Sequence, residues 1–131
     1  MTVFVDTSAL YALVSATDRR HADARSTFSD LLAEESLTTH NYVEVETISL
    51  VHARHGPRPV ARVREILEVI EIIWVDEDIH TTALDRLASG RRGGPSLVDL
   101  VSFEVMERDG IEDAFAFDEH FADAGFRPIG D

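Results

Sequence analysis

Thr2-Val3-Phe4-Val5-Asp6-Thr7-Ser8 opens the chain with a short apolar run that ends in a carboxylate followed by two hydroxyl residues. Val3 to Val5 is β-branched and aromatic and stops at a residue favoured as a helix N-cap, so it reads as a buried strand feeding a helix. The construction recurs twice: Ala114 to Phe117 runs into Asp118, and Ile72 to Val75 into Asp76. Leu37 to Thr39 and Arg127 to Ile129 are weaker strand candidates. Helical stripes lie between them, at Ala24, Phe28, Leu31 and Leu32, at Val60, Val63, Leu67 and Ile70, at Ile79, Ala83, Leu84 and Leu87, and at Leu97, Leu100, Val101 and Val105. A further, largely apolar helix is expected from about Tyr42 to Ala53. Strands alternating with helices predict right-handed crossovers and an α/β domain whose mostly parallel sheet of about five strands is covered on both faces. Ligands of such sheets bind beyond the carboxyl ends of the strands, where the strand order reverses.

The 131 residues carry 25 acids against 12 bases, a net charge of −13, and 44% of them are hydrophobic. That suits one compact acidic domain with a core of its own. The breaks at Gly56 to Pro59 and Arg91 to Pro95 are too short for interdomain linkers. Cysteine is absent, which excludes disulfides, thiolate metal sites and a cysteine nucleophile. Lysine is absent too, and with it Schiff-base chemistry and a Walker A loop. The opening apolar run is too short for a signal peptide, and no stretch approaches the roughly 18 apolar residues that a membrane span requires. A soluble, cytoplasmic protein is the expectation.

Asp6, Asp76 and Asp118 each follow a strand, and each has a structural explanation as a helix N-cap. Asp99 likewise sits in Ser96-Leu97-Val98-Asp99, a capping-box pattern. Glu46 has Tyr42, Val43, Leu50 and Ala53 at helical spacing, which directs its carboxylate to the core or to a cleft. Glu44 competes for that role between Ile48 and Val51, and periodicity does not choose. Together, Asp6, Glu46, Asp99 and Asp118 come from four elements whose ends this fold brings to one edge. Clustered carboxylates need a cation, and oxygen donors suit Mg²⁺ or Mn²⁺ and phosphoryl chemistry.

These residues resemble the PIN-domain ribonucleases and, within them, the VapC-like toxins of toxin–antitoxin pairs. The resemblance runs through Phe4-Val5-Asp6-Thr7-Ser8, Thr38-Thr39-His40-Asn41-Tyr42-Val43 with Glu46-Thr47, Ser96 to Asp99 with Ser102, Phe103 and Met106, and Ala116-Phe117-Asp118 with Phe121 and Ala124-Gly125-Phe126. It implies a PIN-like three-layer α/β/α domain over residues 1–131 and an acidic quartet of Asp6, Glu46, Asp99 and Asp118, with Glu46 preferred to Glu44. Asp6, Asp99 and Asp118 are then the metal ligands, Glu46 binds the ion directly or through water, and Ser8, Thr7 and Ser96 support them. Asp76, Asp78 and Asp113 have no catalytic counterpart. The implied activity is Mg²⁺- or Mn²⁺-dependent endoribonuclease cleavage of a structured RNA, a transfer or ribosomal RNA loop, by water attack that leaves a 3′ hydroxyl and a 5′ phosphate. The implied partners are an antitoxin, whose C-terminal segment crosses the groove, and a second copy of the chain.

Thirteen negative charges oppose RNA binding, but their distribution offsets part of this. His52 to Arg64 carries Arg54, Arg58, Arg62 and Arg64 with no acid, and Arg86, Arg91 and Arg92 precede Gly93 and Gly94. Arg54, Arg58, Arg91 and Arg92 are the candidate phosphate contacts, while Arg62 and Arg64 also fit a solvated helix face. His120, two residues past Asp118, is within reach of substrate or metal, but a surface loop histidine is the preferred reading. The competing functions are an RNA-processing PIN nuclease outside a toxin pair and a PIN module without catalysis. Phosphatase chemistry of the haloacid-dehalogenase type is disfavoured, because its second aspartate would stand where Ser8 is.

Overall fold

The computed structural model describes residues 1–130. Its order of elements is β1 (Thr2–Val5), α1 (Thr7–Val14), α2 (His21–Glu34), β2 (Ser36–His40), α3 (Asn41–His55), α4 (Val60–Leu67), β3 (Glu71–Ile73), α5 (Glu77–Ala88), α6 (Leu97–Asp109), β4 (Asp113–Phe115), α7 (His120–Asp123) and β5 (Arg127–Ile129). The strands form one sheet in the order β3-β2-β1-β4-β5, with every neighbouring pair parallel. Because such crossovers are right-handed, α1 to α4 cover one face and α5 to α7 the other. The packing agrees: α1 lies against α2, α3 and α4, while α5 lies against α6 and α6 against α7. No described helix is long and apolar enough to cross a membrane.

The chain steps outward from β1 through β2 to β3, then returns past β1 to β4, so the order reverses between β1 and β4. Val3, Phe4 and Val5 are buried there beside Ala114 and Phe115. Phe4, Phe103, Phe121 and Phe126 stack behind them, with ring centroids 5.1 to 6.5 Å apart. Such contacts add to simple area burial and fix α6 and α7 against the sheet.

The weak strand candidate at Leu37 to Thr39 is an interior strand. Its polar composition is reconciled with burial because Thr38 Oγ1 donates to the Glu71 carbonyl at 3.1 Å and Thr39 Oγ1 to the Val5 carbonyl at 2.7 Å. Two expected strands end early, each for a visible reason. Val75 N–H donates to Asn41 Oδ1 at 2.7 Å, which takes it off the ladder and leaves Trp74 73% exposed. Phe117 N–H donates to Ser8 Oγ at 2.9 Å, so β4 stops at Phe115. Leu32, Leu84 and Leu87 belong to periodic stripes yet are 40–46% exposed, because α2 and α5 bury only narrow faces around Ala24, Leu31, Ile79 and Ala83.

One buried polar residue ties the two helical layers together. His40 ends β2 and caps α3: its Nδ1 accepts the N–H groups of Tyr42 and Val43 at 3.2 and 3.3 Å. That leaves the proton on Nε2, which donates to Ser102 Oγ on α6 at 2.8 Å, and the Ser102 hydroxyl donates to the Val98 carbonyl at 2.9 Å. Burial pushes the His40 pKa down from 6.5 to about 3, so the ring is neutral and a fixed tautomer. We expect His40→Ala to lower stability by about 2–3 kcal/mol, through a lost cap and a lost buried hydrogen bond. Urea unfolding of the variant beside Ser102→Ala, which loses only the second contact, checks this.

Candidate active site

Asp6 leaves β1 where the order reverses, and its own N–H completes the sheet edge by donating to the Phe115 carbonyl at 3.0 Å. Its side chain is 3% exposed and caps α1: Oδ2 accepts Ser8 N–H at 3.1 Å and Ser8 Oγ at 2.7 Å. Burial pushes the Asp6 pKa up from 3.8 to about 7; the Ser8 contacts oppose the rise, and the nearby Asp99 and Asp118 charges add to it. The cap explanation is therefore satisfied by one oxygen of the carboxyl group, and the protein makes no hydrogen bond to the other.

The same division holds at the other two aspartates. Asp99 and Ser96 form the expected capping box, Ser96 N–H donating to Asp99 Oδ2 at 3.0 Å and Asp99 N–H to Ser96 Oγ at 3.2 Å. Burial raises the Asp99 pKa, and the Asp118 charge raises it further, against the Ser96 hydrogen bonds and His120. Asp118 follows β4, and its Oδ1 accepts His120 N–H at 2.8 Å. In each aspartate one oxygen is tied to a backbone N–H at a helix start, and the protein makes no hydrogen bond to the other.

Asp6, Glu46, Asp99 and Asp118 line one cleft of about 370 Å³ together with Thr7, Ser8, Ser96, Gly94 and His120. All seven residues expected at the reacting centre thus meet in it, and Glu46 lines it where Glu44 does not. Asp76 is a cap alone, its Oδ1 accepting Ile79 N–H at 2.8 Å. His120 corrects the expectation of a surface loop histidine. It is the first residue of α7, and its Nδ1 lies 3.0 Å from Asp118 Oδ1 and 3.4 Å from Asp99 Oδ2. Its i+2 distance from Asp118 was the only signal in the sequence, because the four-residue helix that turns it inward has no periodicity to read.

A cation fits this donor set. Ligand atoms of Asp99, Asp118 and His120 lie within 4.8 Å of one another, and two buried polar atoms of the lining, Thr7 Oγ1 and His120 Nδ1, have no hydrogen-bond partner in the protein. Burial, helped by the Asp118 charge, raises the proton affinity of Asp6 and Asp99, and carboxylates gathered around such atoms are a donor set that suits a cation. The imidazole adds a nitrogen to what the sequence presents as an oxygen-only set.

The basic residues divide. Arg86 pairs with Glu104 at 3.0 Å, linking α5 to α6, and Arg62 pairs with Glu65 at 3.3 Å. Arg54 lies over the Tyr11 ring at 5.3 Å, and Arg58 and Arg92 are exposed. Arg91 lines a smaller hollow that shares Gly94 with the acidic cleft.

Residues 3–127 match the family model of the PIN domain. Over 126 residues, 95% of each chain, the sequence is 35% identical to the 23S rRNA-specific endonuclease VapC20 of Mycobacterium tuberculosis. The crystal structure of that protein, described as a sarcin-ricin loop cleaving toxin, superposes with a TM-score of 0.83 over 95% of both chains. VapBC2 from Rickettsia felis, solved bound to a promoter DNA fragment, shares the fold with a TM-score of 0.70 over 98% of this chain and 97% of that one, at 12% identity. With its switch-point aspartates, its parallel five-stranded sheet and these likenesses, the chain belongs to the PIN domain family, as a homologue of the VapC20 toxin.

Proposed function

We propose that this chain is the endoribonuclease toxin of a toxin–antitoxin pair, that it depends on Mg²⁺ or Mn²⁺, and that its substrate is the sarcin-ricin loop of 23S ribosomal RNA. The observation that carries the reading is the cleft in which Asp6, Glu46, Asp99 and Asp118 converge. Likeness to VapC20 over 95% of the chain supports the choice of RNA.

Asp6, Asp99 and Asp118 are the residues we assign to the metal, and when bound it would supply water activation and charge compensation on the phosphodiester. The chain's own contribution is orientation. Ser8, Ser96 and the backbone of His120 each hold one carboxylate oxygen, so the second oxygens are presented without rotational freedom. Glu46, on the α3 side of the cleft, is assigned to the attacking water as its proton acceptor. Arg54, Arg58, Arg91 and Arg92 are assigned to RNA phosphates, with Arg91 closest in the chain's layout because its hollow adjoins the cleft at Gly94. The partner we infer is an antitoxin segment that crosses the cleft and sets an arginine among the carboxylates in place of metal, on a homodimeric toxin.

Ribosomal RNA incubated with the purified protein and Mg²⁺ or Mn²⁺ is expected to yield one new 5′ end, within the sarcin-ricin loop. EDTA should abolish the cut, and Asp6→Asn should slow it by about 100-fold or more. Ser8→Ala should cost about 10- to 100-fold, because it removes the shorter of the two hydrogen bonds that orient the Asp6 carboxylate and leaves only the backbone N–H. Cuts scattered over the RNA, or equal in wild type and Asp6→Asn, would sink the reading.

The buried carboxyl also sets a pH signature. Between about pH 4 and pH 7 the metal-free folded chain keeps on Asp6 a proton that the unfolded chain has lost, so this group's contribution to stability falls as pH rises. His40 acts with the opposite sign, since the unfolded chain binds its proton below 6.5 and the folded chain refuses it until about 3. Comparison of wild type with Asp6→Asn cancels the histidine. In EDTA, the Tm of Asp6→Asn minus that of wild type should grow by several degrees from pH 4 to 7 and then level off. Mn²⁺ at neutral pH should close the gap by stabilising wild type alone. Thermal melts across that range provide the check.

A further inference from the structure

Beyond Asp118 the acidic cleft adjoins a second concavity of about 430 Å³ that shares only this aspartate with it. One wall is the turn between α1 and α2, which carries Arg19 and Arg20, and the facing wall is Phe117 with Glu119. Neither arginine belongs to the basic stretches around residues 54–64 and 86–92.

The concavity is built from fixed parts. Asp18 orders the turn by accepting Arg20 N–H at 2.8 Å, and the Arg20 guanidinium lies 5.0 Å from the centroid of Phe117. Phe117 is held in its turn by Phe115, edge-on at 5.9 Å, and by Gly130, where a Cβ would approach Phe117 Cε1 to 3.0 Å. Its N–H donates to Ser8 Oγ, the same hydroxyl that donates to Asp6 Oδ2. The second concavity is therefore positioned against the reacting carboxylate by two hydrogen bonds.

We propose that this concavity is an RNA subsite, in which Arg19, above a floor of Arg20 and Phe117, holds the backbone phosphate of a nucleotide flanking the bond that is cut. The proposal rests on the nuclease reading above. Guanidinium forks match phosphate oxygens, and an arginine already seated on an aromatic face loses less freedom on binding than one in solvent. Arg19 is exposed and reaches phosphate directly, while Arg20 and Phe117 form the floor. Asp118 and Glu119 oppose an anion there, so a phosphate is favoured once the Asp118 charge is balanced in the neighbouring cleft.

The test uses a fluorescent sarcin-ricin-loop hairpin titrated with Asp6→Asn protein in Mg²⁺ at several salt concentrations. Adding Arg19→Ala should weaken binding by about tenfold and reduce the slope of log affinity against log salt by about one, and the Arg19→Ala, Arg20→Ala pair should lose more of both. Arg19→Lys, which keeps the charge, should keep the slope. In the active background Arg19→Ala should raise KM far more than it lowers kcat. A wild type that cuts the hairpin while Arg19→Ala and the pair leave affinity and slope unchanged would overturn the subsite alone. A wild type that neither binds nor cuts the hairpin would overturn the functional reading and the subsite with it.

Discussion

The Ser8 hydroxyl stands at the point where the strand order reverses and makes two hydrogen bonds that join the halves of the sheet. It donates to Asp6 after β1 and accepts from Phe117 after β4, so the two strand ends cannot separate without exposing a buried carboxyl group. That carboxyl is the electrostatic constraint on the domain. Desolvation, with the Asp99 and Asp118 charges adding to it and the Ser8 hydrogen bonds opposing it, lifts its pKa to about 7, so ionising it near neutral pH places an uncomfortable charge at the centre of the fold. The topology makes such a site possible, since parallel strands deliver several helix starts to one edge. A cation held there, as proposed above, would make it tolerable.

Much of this was legible because apolar runs ending in aspartate are local signals. Val3 to Val5 before Asp6 and the Ser96-to-Asp99 capping box announce both the element and its terminus. Glu46 was less so: helical spacing left it level with Glu44, and the family resemblance favoured it before the cleft separated the two. What escaped depends on contacts distant in sequence. The interior position of β2 rests on threonine hydroxyls bonded to carbonyls 33 and 34 residues away, and no window over Leu37 to Thr39 contains those partners. His120 escaped for a related reason, being turned inward by a helix too short to have a period. The exposed Leu84 and Leu87 show the converse, a true helical stripe that is wider than the surface available to bury it.

An acidic protein with this charge distribution handles RNA by local contrast. The arginines divide between structural pairs, such as Arg86 with Glu104, and exposed positions, of which Arg91 and Arg19 line hollows that adjoin the cleft. Long-range attraction is weak for a chain of net charge −13, so the RNA affinity proposed above would have to come from short-range guanidinium contacts and from shape. Selectivity for a folded loop over generic RNA is the natural result, because an RNA that cannot reach several such contacts at once gains little.

The use of one oxygen of each aspartate at a helix start, with the other left for the site proposed above, has a consequence for the evolutionary fate of the gene. An asparagine keeps the acceptor that caps the helix and removes the charge that binds the cation. A single base change can therefore silence the cleft while leaving a folded protein. A lineage carrying such a chain would retain its surfaces for partners after its chemistry had gone. Catalytically silent descendants should then be recognisable by Asp-to-Asn exchanges at these caps rather than by truncation or core damage.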